Sequence, residues 1–323
     1  MRYHFSIIRN KIFLFFFLAF ASINAKAQTD LDAIMMFKKN ICSGLVFSHS
    51  SWTNYWEGTH KRDNDNIGKI STNMYAAMAT YGITDHLNIL VGLPYVETKA
   101  SAGQLHPMKG FQDLSFWVKW QPVQKELGDG VFSLFTIGGF SLPASNYSPD
   151  FLPLSIGLGS KNLSLRGMAD YQLGNWFATA SATYINRSNI KIDREAYYTT
   201  EMHYTNKVKM PAAAQYNLRA GLRNGRWIAE AVANNWTTLG GFDITKNNMP
   251  FPSNKMNMTT VGAHFKYDTK FLQGLSFIGG ADYTVAGRNV GQATSFNAGV
   301  FYAVALKNGT KNNNNSADKK LTQ

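Results

Sequence analysis

A single cysteine stands among 323 residues. Cys42 therefore has no partner for an intramolecular disulfide, and it reads as an inert packed thiol lying too far along the chain to carry a lipid anchor. Long apolar runs are missing too. The only one, Ile12 to Ala21, falls short of the roughly 20 residues that a spanning helix needs, which excludes a helical membrane anchor. Zinc-ligand spacing, a phosphate loop and a nucleotide fingerprint are all absent, so no cofactor is expected. The run Asp63-Asn64-Asp65-Asn66 with Gly68 has the outline of a calcium loop, but Ile67 occupies a ligand position and Met74 stands where the bidentate acid belongs; no metal site is expected. His60, His106 and His203 are isolated and read as loop residues.

What is present begins with export. Arg2, Arg9 and Lys11 precede the apolar run, and Ala25-Lys26-Ala27 follows it, the layout of a signal peptide over residues 1–27. Its removal takes away four basic groups and no acidic ones, lowering the formal charge from +12 to +8. The remaining Lys and Arg are scattered instead of forming a stripe, which argues against a nucleic-acid partner. The phosphates of an outer-leaflet lipid are the better-matched anions. The expected location is the outer membrane of a Gram-negative bacterium.

The rest of the chain alternates with period 2, as a strand does when its two faces meet different surroundings. Leu87, Ile89, Val91, Leu93 and Tyr95 share one parity against Asn88 and Gly92; Leu275, Phe277, Ala281, Tyr283 and Val285 oppose Ser276, Asp282 and Thr284. Val261, Ala263, Phe265 and Tyr267 oppose His264 and Lys266 in the same way. A soluble sandwich alternates similarly, so loop rhythm decides. Short connections at 82–86, 122–130, 173–175, 224–226 and 268–274 interleave with longer ones at 58–69, 99–109, 142–160, 187–211, 239–255 and 288–294. This pattern predicts an all-β fold: a transmembrane antiparallel barrel of about twelve strands, with short periplasmic turns, long outer loops and both ends in the periplasm. Tyr81, Trp120, Tyr171, Trp176, Trp227 and Tyr267 each lie close to a short connection on the apolar parity, which marks them as membrane-interface aromatics. The expected division is a lead-in over 28–43, the barrel over 44–306 and a disordered Asn/Lys-rich tail over 307–323. Asn297 to Val304 matches the terminal-strand signal read by the barrel-assembly machinery.

If the apolar parity faces lipid, the opposite parity places Asp113, Lys119, Arg166, Asp170, Arg219, Glu230, His264, Lys266 and Asp282 in the lumen, since charge on the lipid face is costly. These groups make either a polar pore or a set of ion pairs that fill a narrow barrel. His49 and Ser51 share one face of a strand, a His-x-Ser pair of the kind used by outer-membrane lipid hydrolases, but no orienting group is evident: Asn54 has the wrong parity and Glu57 is far along the strand. Trp52 and Trp56 follow the pair, which suits a hydrogen-bonded cluster beneath the outer rim with these two at the lipid interface. The longest outer loop, through Tyr197, Tyr198, Met202, His203 and Tyr204, suits an inward plug or a surface lid.

Tyr81-Gly82-Ile83-Thr84-Asp85-His86-Leu87, Val91-Gly92-Leu93-Pro94-Tyr95, Gly110-Phe111-Gln112-Asp113-Leu114 and Val118-Lys119-Trp120 resemble the "MetA-pathway of phenol degradation" family of outer-membrane proteins. His86 stands in place of that family's Arg, and Gln112 in place of a Gly. Gly82 suits a tight turn, Asp85 can bond its own backbone and Pro94 suits the end of strand pairing near the rim. The resemblance implies a transporter-like barrel for small hydrophobic or aromatic solutes, acting without catalysis. Two other readings stay open: a lipid hydrolase using His49 and Ser51, and a structural or secretion-accessory barrel with a plugged lumen.

Overall fold

A computed structural model of the chain describes residues 31–244 and 250–306. The expected signal peptide and Asn/Lys-rich tail lie outside the described residues. Twelve strands form one closed antiparallel barrel: β1 (Asn40–Trp52), β2 (Ile70–Thr84), β3 (Leu87–Ala100), β4 (Asp113–Leu127), β5 (Gly130–Pro143), β6 (Asn162–Leu173), β7 (Trp176–Arg187), β8 (Ala213–Asn224), β9 (Trp227–Thr238), β10 (Asn257–Asp268), β11 (Leu275–Arg288) and β12 (Thr294–Ala305). Each strand pairs with its neighbours in sequence, and β12 returns to β1 with Asn40 opposite Ala305. Closure removes the unpaired edges that a sheet in lipid could not tolerate.

The parity of the sequence sets which face is which. Leu45, Tyr75, Leu165, Leu218, Phe265 and Phe296 project outward and are exposed, while the residues between them are buried or half-buried. An outward shell of large apolar side chains with an inward set rich in Asn, Thr, Arg and Lys is the inverse of a soluble protein, and it fits a sheet wetted outside by lipid.

Four of the periplasmic connections are two residues long, such as Gly174–Asn175 between β6 and β7, where Gly174 takes a φ of 56° that other residues rarely adopt. The expected turn over 122–130 is a correction. Strand β4 runs on to Leu127, and the turn is only Gly128–Asp129. Pro122 sits in a bulge, where pairing with β5 jumps from Trp120 to Val123, so its missing N–H costs no ladder bond. Pro94 behaves differently on its two sides. The ladder with β2 continues past it to Ala100, whereas that with β4 stops at Gly92 opposite Ser115. Beyond that point the short piece Met108–Phe111 takes over beside β3.

The expected lead-in over 28–43 is also corrected. Residues 40–43 already belong to β1, and residues 32–36 lie inside the barrel. Met36 is fully buried against Cys42, Phe301 and Ala303, and Ile34 is buried nearby. At the rim Lys39 adopts a φ of 60° and its N–H donates to the Gly82 carbonyl at 2.8 Å. A Cβ at Gly82 would collide with the Phe37 carbonyl, so this glycine serves the close approach of the leading segment as well as the turn.

At the opposite end the outer loops fold over the mouth. Ile190, Ile192, Tyr197, Val208, Met210 and Phe251 make a buried apolar cluster drawn from two loops. The loop over residues 144–161 contributes Leu154 and Ile156, both buried, and Thr98 of β3 donates to the Leu154 carbonyl at 2.5 Å.

Candidate functional site: the barrel interior

The inward faces of β4 to β11 carry the charged residues singled out in the sequence. In the periplasmic half Lys119 is entirely buried, and its ammonium donates to the Asp32 carbonyl at 2.5 Å, the Asp32 carboxylate at 3.1 Å and the Ile34 carbonyl at 2.9 Å. The leading segment is thereby fixed across the lumen. Next to it Arg219 pairs with Glu230 at 3.2 Å, His264 with Asp282 at 3.0 Å and Lys266 with Asp268 at 3.4 Å. Asp170 accepts from Thr179 at 2.5 Å and from Arg223 at 3.2 Å, and the Arg223 guanidinium lies over the Phe177 ring at 4.1 Å. Two of these pairs are diagonal neighbours in the register: Glu230 is two residues from Val232, which stands opposite Arg219, and Asp282 is two residues from Gly280, which stands opposite His264. Lys266 and Asp268 stand on one strand, and Asp170 and Arg223 on strands separated by β7, but each pair likewise joins inward charges of opposite sign, so that neither is desolvated alone.

The outer half is arranged differently. Asp113 accepts a hydrogen bond from the Tyr147 hydroxyl at 2.6 Å, and that hydroxyl also receives the Gly159 amide at 3.2 Å. Burial, reinforced by Asp113, pushes the Tyr147 phenol far above its ordinary range, so it stays a neutral donor. Arg166 donates from Nε to Thr183 at 2.8 Å. Between these groups lies a cavity of about 340 Å3, bordered by Trp117, Leu158, Ile185, Arg187 and Trp236. A smaller void of about 90 Å3 sits in the periplasmic half against Asp32, Ala33 and Ile34. The lumen is thus a roomy outer vestibule above a narrow, charge-paired section held by the chain's own leading segment.

His49 and Ser51 lie elsewhere. Their parity is that of Leu45 and Phe47, so they face outward near the outer rim of β1. The group that sequence spacing did not supply comes from the adjacent strand: His49 Nδ1 is 2.7 Å from the Asn73 side-chain oxygen. Asn73 is opposite His49 in the register, a relation set by the barrel and not by spacing within β1. Among the described residues the Ser51 hydroxyl makes no hydrogen bond to His49.

The six aromatics near short connections gather at the periplasmic end. Trp120 and Trp176 are exposed, while Tyr81, Tyr171, Trp227 and Tyr267 are half-buried. Trp227 and Tyr267 stand opposite each other on β9 and β10. In the outer cap Tyr197 stacks on His203 at 4.8 Å and on Phe251 at 5.2 Å, whereas Tyr198, Met202 and Tyr204 are exposed. The longest loop therefore divides: one tyrosine is drawn into the cap's core and its neighbours remain outside. Groups of three or more metal-ligating side chains are absent among the described residues.

Several interior residues were not singled out by sequence. Arg187, Arg223, Trp117 and Trp236 all have inward parity, a signal that was available. Asp32 and Tyr147 come from segments without periodicity, and only the fold brings them to Lys119 and Asp113.

Comparison with known proteins places these features in context. A family model described as "Putative MetA-pathway of phenol degradation" matches residues 69–299. No curated protein matches. Among solved structures, an outer membrane channel from Pseudomonas putida F1 superposes with a TM-score of 0.68 at 14% identity, covering 86% of this chain and 99% of that one. The transport unit of the autotransporter AIDA-I from Escherichia coli gives a TM-score of 0.44 at 13% identity, covering 86% and 94% of the two chains.

Proposed function

From the premise that this chain belongs to the MetA-pathway of phenol degradation family, we propose that it is an outer-membrane barrel through which a small hydrophobic or aromatic solute passes without chemical change. The observation that carries this reading is the cavity of about 340 Å3 enclosed within a sheet whose outer face is apolar. Its size falls in the range of small-molecule sites, and its walls combine indole and aliphatic surface with a few polar groups. In this reading the nine inward charged residues shape the lumen, the paired section below the cavity limits free flow of water, and onward passage requires the leading segment to shift. Export through the signal peptide, insertion by the barrel-assembly machinery and a resting place in the outer membrane of a Gram-negative cell complete the proposal. A neighbouring channel structure supports the fold and is compatible with this role.

Vesicles with a lipopolysaccharide outer leaflet, which resist apolar solutes, provide the test. The reconstituted chain should speed entry of benzyl alcohol or a similar single-ring compound above protein-free vesicles, and Ser51→Ala should carry it at the parent's rate. No acceleration for any such compound would sink the proposal. Release of fatty acid from phospholipid or lipid A by the parent that is lost in Ser51→Ala would restore the hydrolase reading, for which the His49–Asn73 contact is the supporting geometry.

A further inference from the structure

Arg187, the last residue of β7, is 7% exposed. Its Nε donates to the Pro211 carbonyl at 2.6 Å, while its Nη2 is buried without a hydrogen-bond partner. Among the described residues no carboxylate pairs with it. A buried guanidinium without a counter-charge is expensive to keep, and a buried unmatched donor is uncommon. The contrast within this barrel lies in the counter-charge: Arg219 and Arg223 each also have an unmatched buried Nε, but Arg219 has Glu230 and Arg223 has Asp170. Arg187 borders the outer cavity, and Asp113, the one carboxylate on that wall, is already engaged by Tyr147. The same cavity offers the indoles of Trp117 and Trp236 and the aliphatic side chains of Leu158 and Ile185.

We propose that the outer cavity is a binding site for the carboxylate form of a small organic acid with an aromatic or aliphatic body. Arg187 supplies the missing counter-charge, and the indoles take the apolar body. The planar fork of a guanidinium matches a carboxylate, and the apolar walls favour a solute with a single charged end. This assignment rests on the solute-passage reading and names the class of solute it favours.

Calorimetric titration of the refolded full barrel with benzoate and with benzyl alcohol, its neutral counterpart, tests the site. The parent should bind benzoate at least tenfold more tightly than benzyl alcohol. Arg187→Gln should bring the two to within about threefold of each other through loss of benzoate affinity, with the heat-modifiable gel shift of the folded barrel as the sign that it is intact; Arg187→Lys should retain part of the preference. Equal binding by the parent, absence of benzoate binding, or a preference untouched in Arg187→Gln would overturn the inference. The two proposals fail separately. A barrel that passes benzyl alcohol with no preference for benzoate keeps the channel reading and loses this one, whereas one that binds benzoate through Arg187 but speeds entry of neither solute keeps this one and loses the channel.

Discussion

Lys119 shows how one side chain decides the state of the lumen. Its ammonium binds the leading segment at three oxygens, and it is wholly buried while doing so. Removing one member of a buried pair typically costs on the order of 3–5 kcal/mol, because the partner is left uncompensated. In Lys119→Met, Asp32 loses this cation. The expected outcome is release of residues 32–36 while the twelve-strand barrel persists, read as faster exchange of the Ile34 amide, which donates to the Asp32 carboxylate, with unchanged protection in β6 to β9. Equal protection of that amide in parent and variant would show that the ammonium does not hold the segment. The sequence placed Lys119 correctly on the inward parity, yet its partner could not be read there. Asp32 belongs to a stretch with no periodicity, and the two are 87 positions apart.

At the level of elements, the outer loops are tied by Asn289, which sits between β11 and β12 in a left-handed conformation with φ of 54°. Its side-chain oxygen accepts from the Gly58 amide at 2.7 Å and the Ile244 amide at 3.2 Å, and its nitrogen donates to Asp243 at 2.7 Å and to the Lys255 carbonyl at 2.6 Å. Three loops thus meet at one amide. The hydrogen bond from Arg288 holds the Asp243 carboxyl below the usual aspartate range, with Asn289 adding to the effect. A carboxyl lowered in the folded state contributes stability above its unfolded value of about 3.9, and that contribution disappears as the pH falls through the lowered value. Protection of the Gly58 and Ile244 amides, corrected for intrinsic exchange, should therefore hold from neutrality to about pH 5 and decline below about pH 4. Asn289→Ala should lower it at every pH. Protection that stays flat through the acid range would show that Asp243 does not sustain the junction. Such a junction was invisible in the sequence because it joins positions 58, 244 and 289 through loop geometry. The strands themselves were legible, since Leu87 to Tyr95 and Leu275 to Val285 carry their two environments in their spacing. Boundaries failed where a bulge absorbed a breaker, as at Pro122.

For the molecule as a whole, the decisive property is the medium that touches the outer face. Leu218, in the middle of β8, and Leu173, at the periplasmic end of β6, are both exposed. In water an arginine at either place would change little. In a bilayer the cost is about 2–4 kcal/mol at the midplane and about 0–1 near the interface. Folding into vesicles should therefore be weakened by Leu218→Arg and hardly altered by Leu173→Arg, with denaturant titration of the tryptophan signal as the measurement. Equal small costs would place the outer face in water and remove the basis for any transmembrane role.

The buried contact of Met36 with Cys42 of β1 and with Phe301 and Ala303 of β12 lies across the line where the first and last strands join. One methionine thus covers the join from within, so the leading segment lines the seam of the wall as well as crossing the lumen.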